Sequence, residues 1–268
     1  MFGAFRPIAR AVYYKASFTT QKLFGLAPEG RRALGRVVAH NRVVLAARYL
    51  RGDGIEIGGL GRPLMLPAAV RVKFVDRYDE DGLRGNYPEM AGVKIVRPDI
   101  VDDGETLATI PDASQDFVVV NHVVEHFQDP IRFFHNATRV LKPGGVLFMA
   151  LPDRDKTFDR ARPVTPFEHL VHDYDQGPAG SRTEHFREFV RLADTHNGTQ
   201  AWRTEAEYEA LVAKLMADDY SIHFHVWDLP GVLDMLLQLR RRYSLALRPL
   251  AVLSSGDEVV SVLEKAAS

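Results

Sequence analysis

Two groups of residues in this chain have types and spacing suited to chemistry. The first is Gly54–Leu64, GIEIGGLGRPL, where Gly58, Gly59 and Gly61 permit positive φ and close approach of backbone to a ligand. Asp76 follows Gly58 by 18 residues, at the end of the next apolar run. An acidic side chain there can accept both hydroxyls of a ribose, so the pair points to an adenosine-containing ligand. Glu56 bears on which one. A carboxylate beside the loop repels a pyrophosphate and attracts an ammonium or sulfonium. Pro63 and Pro67 also leave little room for the helix whose N-terminus would hold a pyrophosphate. Further on, Asp102 or Asp103 could accept from an adenine amino group, the alternative being a solvated acidic turn.

The second group is histidine-rich. His169, His172 and Asp173 fall at spacings of three and four, so a helix opening after Pro166 puts His169 and Asp173 on one face. In Ile222–Trp227, IHFHVW, a strand would put His223 and His225 on one face. His169 or His223, with Asp173 as orienting carboxylate, could take a proton from a hydroxyl acceptor. The alternative is that His169 hydrogen-bonds Asp159 or Asp173 and pins this part of the fold. Metal ligation is a third reading, but the sequence shows no closed ligand set and no metal is assigned.

The elements that must position these groups alternate. Residues 28–51 have the mixed three and four spacing of an amphipathic helix, stopped by Gly52-Asp53-Gly54. Ile55–Ile57, Val70–Val75, Val93–Val96, Asp116–Asn121 and Val146–Leu151 have strand character, and Asp129–Leu141 is helical up to the break at KPGG. Strands alternating with helices imply a mostly parallel sheet covered on both faces. After Pro152 the pattern loosens. Helical periods return at Ser181–Asp194, Thr204–Asp218 and Leu229–Tyr243, and Leu245–Leu253 and Glu258–Leu263 form a closing hairpin about Gly256-Asp257. The division expected is an N-terminal helical segment, 1–52, and an α/β domain, 53–268, in which 153–228 is an acceptor-side insertion or lid.

The central run DGETL…PDASQDFVVVNHVVEHFQDPIRFFHNATRVLKPGGVLFMALP, preceded by GIEIGG and FVD, resembles the class I S-adenosylmethionine-dependent methyltransferases. It is most similar to the group with an EH pair after strand four and RVLKPGG before strand five. The resemblance covers 54–152, and Glu258–Lys265 is similar to the last strand of that fold. It implies a Rossmann-like, seven-stranded, mostly parallel sheet with the last strand antiparallel. It also implies S-adenosylmethionine as cofactor, with Glu56, Gly58 and Gly61 around its methionine part and Gly59 in the same loop. Asp76 would meet the ribose and Asp103 or Asp102 the adenine. Asn121 and His122 would line the other side, and Glu125 and His126 would brace the next helix. Leu60-Gly61-Arg62-Pro63 departs from the family's acidic-x-Gly-x-Gly-x-Gly pattern.

The remaining features bound the class. The chain has 268 residues, 46% hydrophobic and 26% charged, with net charge -1. Nothing in that balance draws it to nucleic acid or an anionic membrane. There is no cysteine, which excludes disulfides and thiolate metal sites. No apolar run is long enough to span a bilayer, and the expected location is the cytoplasm. The expectation is a methyltransferase acting on a hydroxyl of a small molecule or a sugar or glycan. Its rivals are a non-catalytic scaffold that keeps the cofactor site and an NAD-dependent oxidoreductase, against which Glu56 argues.

Overall fold

A computed structural model describes residues 41–87, 92–193 and 204–267. Its centre is a seven-stranded sheet. The strands are β1 (Asp53–Ile57), β2 (Arg71–Asp76), β3 (Ile100–Val101), β4 (Gln115–Asn121), β5 (Leu141–Pro152), β6 (Leu247–Ser255) and β7 (Glu258–Lys265). Their spatial order is β3-β2-β1-β4-β5-β7-β6. Pairings among β1 to β5 are parallel, while β7 lies antiparallel between β5 and β6. The doubly wound sheet with an antiparallel last strand is therefore present.

Period-two alternation on the central strands divides the core. Val118 and Val120 of β4, with Ile55, Ile57, Leu147 and Met149, face one layer, and Phe117, Val119, Phe148 and Ala150 face the other. The first layer is covered by α3 (Pro130–Val140), α4 (Phe167–Gln176) and α7 (Leu229–Tyr243). Ile131, Phe134, Ala137 and Val140 form the buried stripe of α3, which starts at Pro130 with Asp129 accepting from the Arg132 N–H. On the second layer sits α1, helical over 41–49, whose Ala46 packs with Leu50 against Phe117 and Phe148. Arg42 of α1 is ion-paired with Glu258 at the start of β7, which ties this helix to the sheet. Residues 28–40 of the expected first helix lie outside the described residues.

Two expected strands differ. Val93–Val96 is not extended into the sheet; the third strand is the two-residue β3, which pairs Ile100 with Val75 and Val101 with Asp76. Its pairing, not an apolar run, defines it. The IHFHVW segment is not a regular strand either. Its only ladder contact among the described residues is a bridge from Trp227 to Asp153, and the Phe224 and His225 N–H groups both reach the Glu125 carbonyl, at 2.7 and 3.3 Å.

Between β5 and α7 the chain builds a satellite core. Phe186 and Phe189 of α5 (Arg182–Leu192) pack on Tyr208, Val212 and Leu215 of α6 (Glu205–Ala217), with Ile222 and Phe224. A capping box at Thr204 and Glu207 fixes the start of α6.

Candidate functional site

Parallel strands bring their carboxyl ends to one edge, and here the ladder carries the expected cofactor residues onto it. The Gly58 N–H donates to the Val75 carbonyl at 3.0 Å, the Asp102 N–H to the Asp76 carbonyl at 3.0 Å and the His122 N–H to the Ala150 carbonyl at 2.8 Å. Residues 58, 76, 102 and 122 are thus neighbours along one rim. This is the position at which open α/β sheets bind ligands.

The first loop is held from within. Glu56 is buried, and its two carboxylate oxygens accept from the Leu64 N–H at 2.9 and 3.1 Å. Burial raises its pKa to about 7 despite that hydrogen bond and the field of Arg42. Gly58 has φ +69°, and a Cβ there would stand 2.6 Å from Val123 Cγ2, so both conformation and close approach require glycine. A Cβ on Gly59 would stand 3.0 Å from Phe74. Where the family pattern bends, Leu60 takes φ +36° in a turn that continues through Gly61. No helix forms over residues 58–70.

At the end of β2 the Asp76 carboxylate accepts from the Arg77 N–H at 2.8 Å, and burial raises its pKa to about 6. Asp102 and Asp103 are committed to their own loop. Asp102 accepts from the Asp103 N–H and from both the N–H and hydroxyl of Thr109, all within 2.8 Å. One Asp103 oxygen accepts from the N–H groups of Glu105 and Thr106, at 2.9 and 3.0 Å. The acidic turn is therefore shaped by its own carboxylates.

The end of β4 is the most loaded position. Both polar atoms of the Asn121 side chain are buried with no hydrogen-bond partner. A buried amide left so is a group awaiting a ligand or a water. His122 has φ +54°, a left-handed conformation that is uncommon outside glycine and that clusters at functional sites. Its Nε2 lies 2.8 Å from Glu258 Oε2 and its side chain is 37% exposed, so it meets solvent with a carboxylate behind it. Burial pushes the Glu258 carboxyl up, but the hydrogen bonds from Arg42 and His122 outweigh it and hold the pKa below its usual value. Glu125 lies beneath, with both oxygens buried and without a hydrogen bond, Oε1 3.7 Å from His122 Nδ1, and a pKa raised to about 7 by burial.

The expected acceptor-side residues divide into two clusters. His169 and Asp173 do face each other, with Nε2 3.2 Å from Oδ2, on α4. His223 is not with them. Its Nδ1 lies 2.6 Å from Asp159 Oδ2, and Asp159 is paired at 2.8 Å with the buried Arg162, which also bonds Glu188. The place expected for His223 beside His169 and Asp173 is taken by His225 and by His185 of α5. Because 222–227 is not a strand, the two histidines two apart do not share a face. His185 and Glu258 escaped sequence reasoning because each meets its partner across the chain, with no local spacing to mark it.

Comparison with known proteins adds what the chain is similar to. Residues 84–149 match the family described as a methyltransferase domain. A protein of Mycolicibacterium smegmatis named as a probable S-adenosylmethionine-dependent methyltransferase is 36% identical over 151 residues, 53% of this chain and 54% of that protein. One of Mycobacterium tuberculosis with the same description is 35% identical over 131 residues, 46% of this chain and 44% of its own. The chain thus spans about half the length of the curated relatives it matches. Among solved structures, a Pyrococcus horikoshii protein aligns with 94% of this chain and 98% of its own at 17% identity and a TM-score of 0.48. Residues 84–149 are thus similar to a methyltransferase domain, and about half of the chain is similar to mycobacterial proteins named as probable S-adenosylmethionine-dependent methyltransferases.

Proposed function

We propose that the protein transfers a methyl group from S-adenosylmethionine to a hydroxyl of a small molecule, a sugar or glycan being the class expected. The observation that carries the cofactor half is the rim formed by Gly58, Asp76, Asp102 and Asn121. Two features of it fit the cofactor: the unpartnered Asn121 amide, and the cradle at Gly58 that a Cβ would fill. The lack of a helix over 58–70 tells against NAD, since no helix N-terminus stands there to hold a pyrophosphate.

Asp76 accepts the ribose hydroxyls, and Asn121 supplies a donor and an acceptor to the cofactor's inner side. Asp103 keeps one carboxylate oxygen outside its loop bonds and accepts from the adenine amino group. Glu56 acts through the loop it braces, and the cationic end of the cofactor favours the ionised form of its carboxyl. When bound, S-adenosylmethionine supplies an electrophilic methyl group, and the sulfur keeps the electron pair of the broken carbon–sulfur bond.

The acceptor half rests on His122. A hydroxyl must lose its proton as it attacks, and an imidazole with a carboxylate behind it is suited to take that proton. Glu258 accepts from Nε2–H and stabilises the imidazolium that forms, and Nδ1, 3.7 Å from Glu125 Oε1, is the nitrogen that takes the proton. His169, Asp173 and His223 then serve the insertion's architecture rather than the proton. The test is methyl transfer to a panel of sugars, phenols and amines, read as S-adenosylhomocysteine release. His122→Asn is expected to lower kcat by about two orders of magnitude, the usual scale for a general base. An unchanged kcat would remove His122 from the mechanism.

A further inference from the structure

We propose that His169, Asp173, His185 and His225 bind one zinc ion that ties α4, α5 and the 222–227 segment together. This site does not depend on the methyl-transfer reading. Its four residues come from three separate stretches: α4 gives His169 and Asp173 one turn apart, α5 gives His185, and the 222–227 segment gives His225.

The donor atoms converge on one point. His169 Nε2 and His185 Nε2 are 3.0 Å apart. Asp173 Oδ2 lies 3.2 Å from His169 Nε2, 3.6 Å from His185 Nε2 and 3.9 Å from His225 Nε2. A tetrahedral zinc site with bonds of about 2.0–2.1 Å has edges of roughly 3.3–3.4 Å; these four separations bracket that value, and all the donor atoms lie within 4.8 Å of one another. Hydrogen bonding accounts for part of the arrangement, since His169 Nε2 can bond His185 Nε2 and faces Asp173 Oδ2, but it leaves His225 out. Asp173 Oδ2 meets only the His169 and His185 rings, neither ring nitrogen of His225 has a well-aligned hydrogen bond, and Asp173 and His225 are completely buried. Buried polar atoms aimed at one another without bonding are a large cost unless something between them is shared. A cation shares it for all four at once.

Donor chemistry selects the metal. Three imidazoles and one carboxylate suit zinc and disfavour magnesium or calcium, which take oxygen sets. The second Asp173 oxygen accepts from the Ser181 hydroxyl at 2.6 Å, the kind of outer bond that orients a ligating carboxylate. Four protein ligands leave no open position, so the role is structural. Its consequence reaches the active rim, because the Phe224 and His225 N–H groups hold the Glu125 carbonyl three residues beyond His122.

The test uses the full chain. The protein is incubated with Zn²⁺, passed over chelating resin and counted for metal by mass spectrometry. About one equivalent per chain is expected in the wild type, and less than about a tenth in His185→Ala/His225→Ala. His223→Ala is expected to keep its equivalent. So that the test does not hang on the folding of the double variant, Co²⁺ is also added to the wild type. Intense visible bands of tetrahedral cobalt are expected. A folded wild type that retains no zinc, a weak octahedral cobalt spectrum, or metal that follows His223 instead would overturn the site. None of these readouts involves the cofactor or turnover, so failure here leaves the methyltransferase reading untouched.

Discussion

Replacing Glu56 with glutamine should stabilise the protein at high pH and leave it nearly unchanged at low pH. Glu56 is buried, with Leu64 N–H as its hydrogen-bond donor, and burial raises its pKa from 4.5 to about 7. A raised value means that the folded protein holds the proton more tightly than the unfolded chain does. That contribution to stability is complete below about pH 4.5 and is lost as pH climbs through about 7. Each pKa step is worth about 1.4 kcal/mol, so above pH 8 the wild type carries a burden of about 3 kcal/mol that glutamine does not. Glutamine keeps an oxygen for the Leu64 N–H, so at pH 5 the two proteins should agree within about 1 kcal/mol. Urea unfolding of both at pH 5 and pH 9 reads the difference directly, and the other buried acids cancel in the comparison. A stability gap that is the same at both pH values, or a variant weaker at pH 9, would refute the assignment of Glu56 as a strained, buried carboxylate.

Other perturbations test other parts of the structure. Gly58→Ala should lower stability by about 1–3 kcal/mol through its positive φ, measured as a shift in urea midpoint. Adding Val123→Ala should recover only part of the loss, because it removes the contact with Val123 and not the backbone strain; full recovery would refute the conformational part. Arg162→Met leaves Asp159 buried without its guanidinium partner and should destabilise by about 3–5 kcal/mol. A denaturation midpoint unchanged from the wild type would show that His223 alone satisfies Asp159.

How much was legible in the sequence follows from where each signal comes from. β4 and α3 could be read because Val118 to Val120 form a β-branched run followed by polar residues and the Ile131–Phe134–Ala137 stripe carries a helical period. β3 could not, because two residues have no period and exist as a strand only through Val75 and Asp76. The IHFHVW segment alternates in sequence, yet its residues 222–227 are all buried and its amides go to Glu125 rather than to a neighbouring strand. Alternation there reflects two different clusters, one at Asp159 and one at Asp173. The rim residues Glu56, Gly58, Asp76 and Asn121 were visible because parallel strands must deliver their ends to one edge. Glu258 was not, since 136 residues separate it from His122 and only the antiparallel placement of β7 brings them together.

The central claim is that the rim at the ends of β1 to β4 binds S-adenosylmethionine. Isothermal calorimetry of the full chain with S-adenosylmethionine and S-adenosylhomocysteine tests it most directly. The account predicts heat consistent with micromolar binding, weakened about tenfold or more in Asp76→Ala by loss of a charged hydrogen-bond acceptor. A folded wild type that gives no heat with either ligand would contradict it.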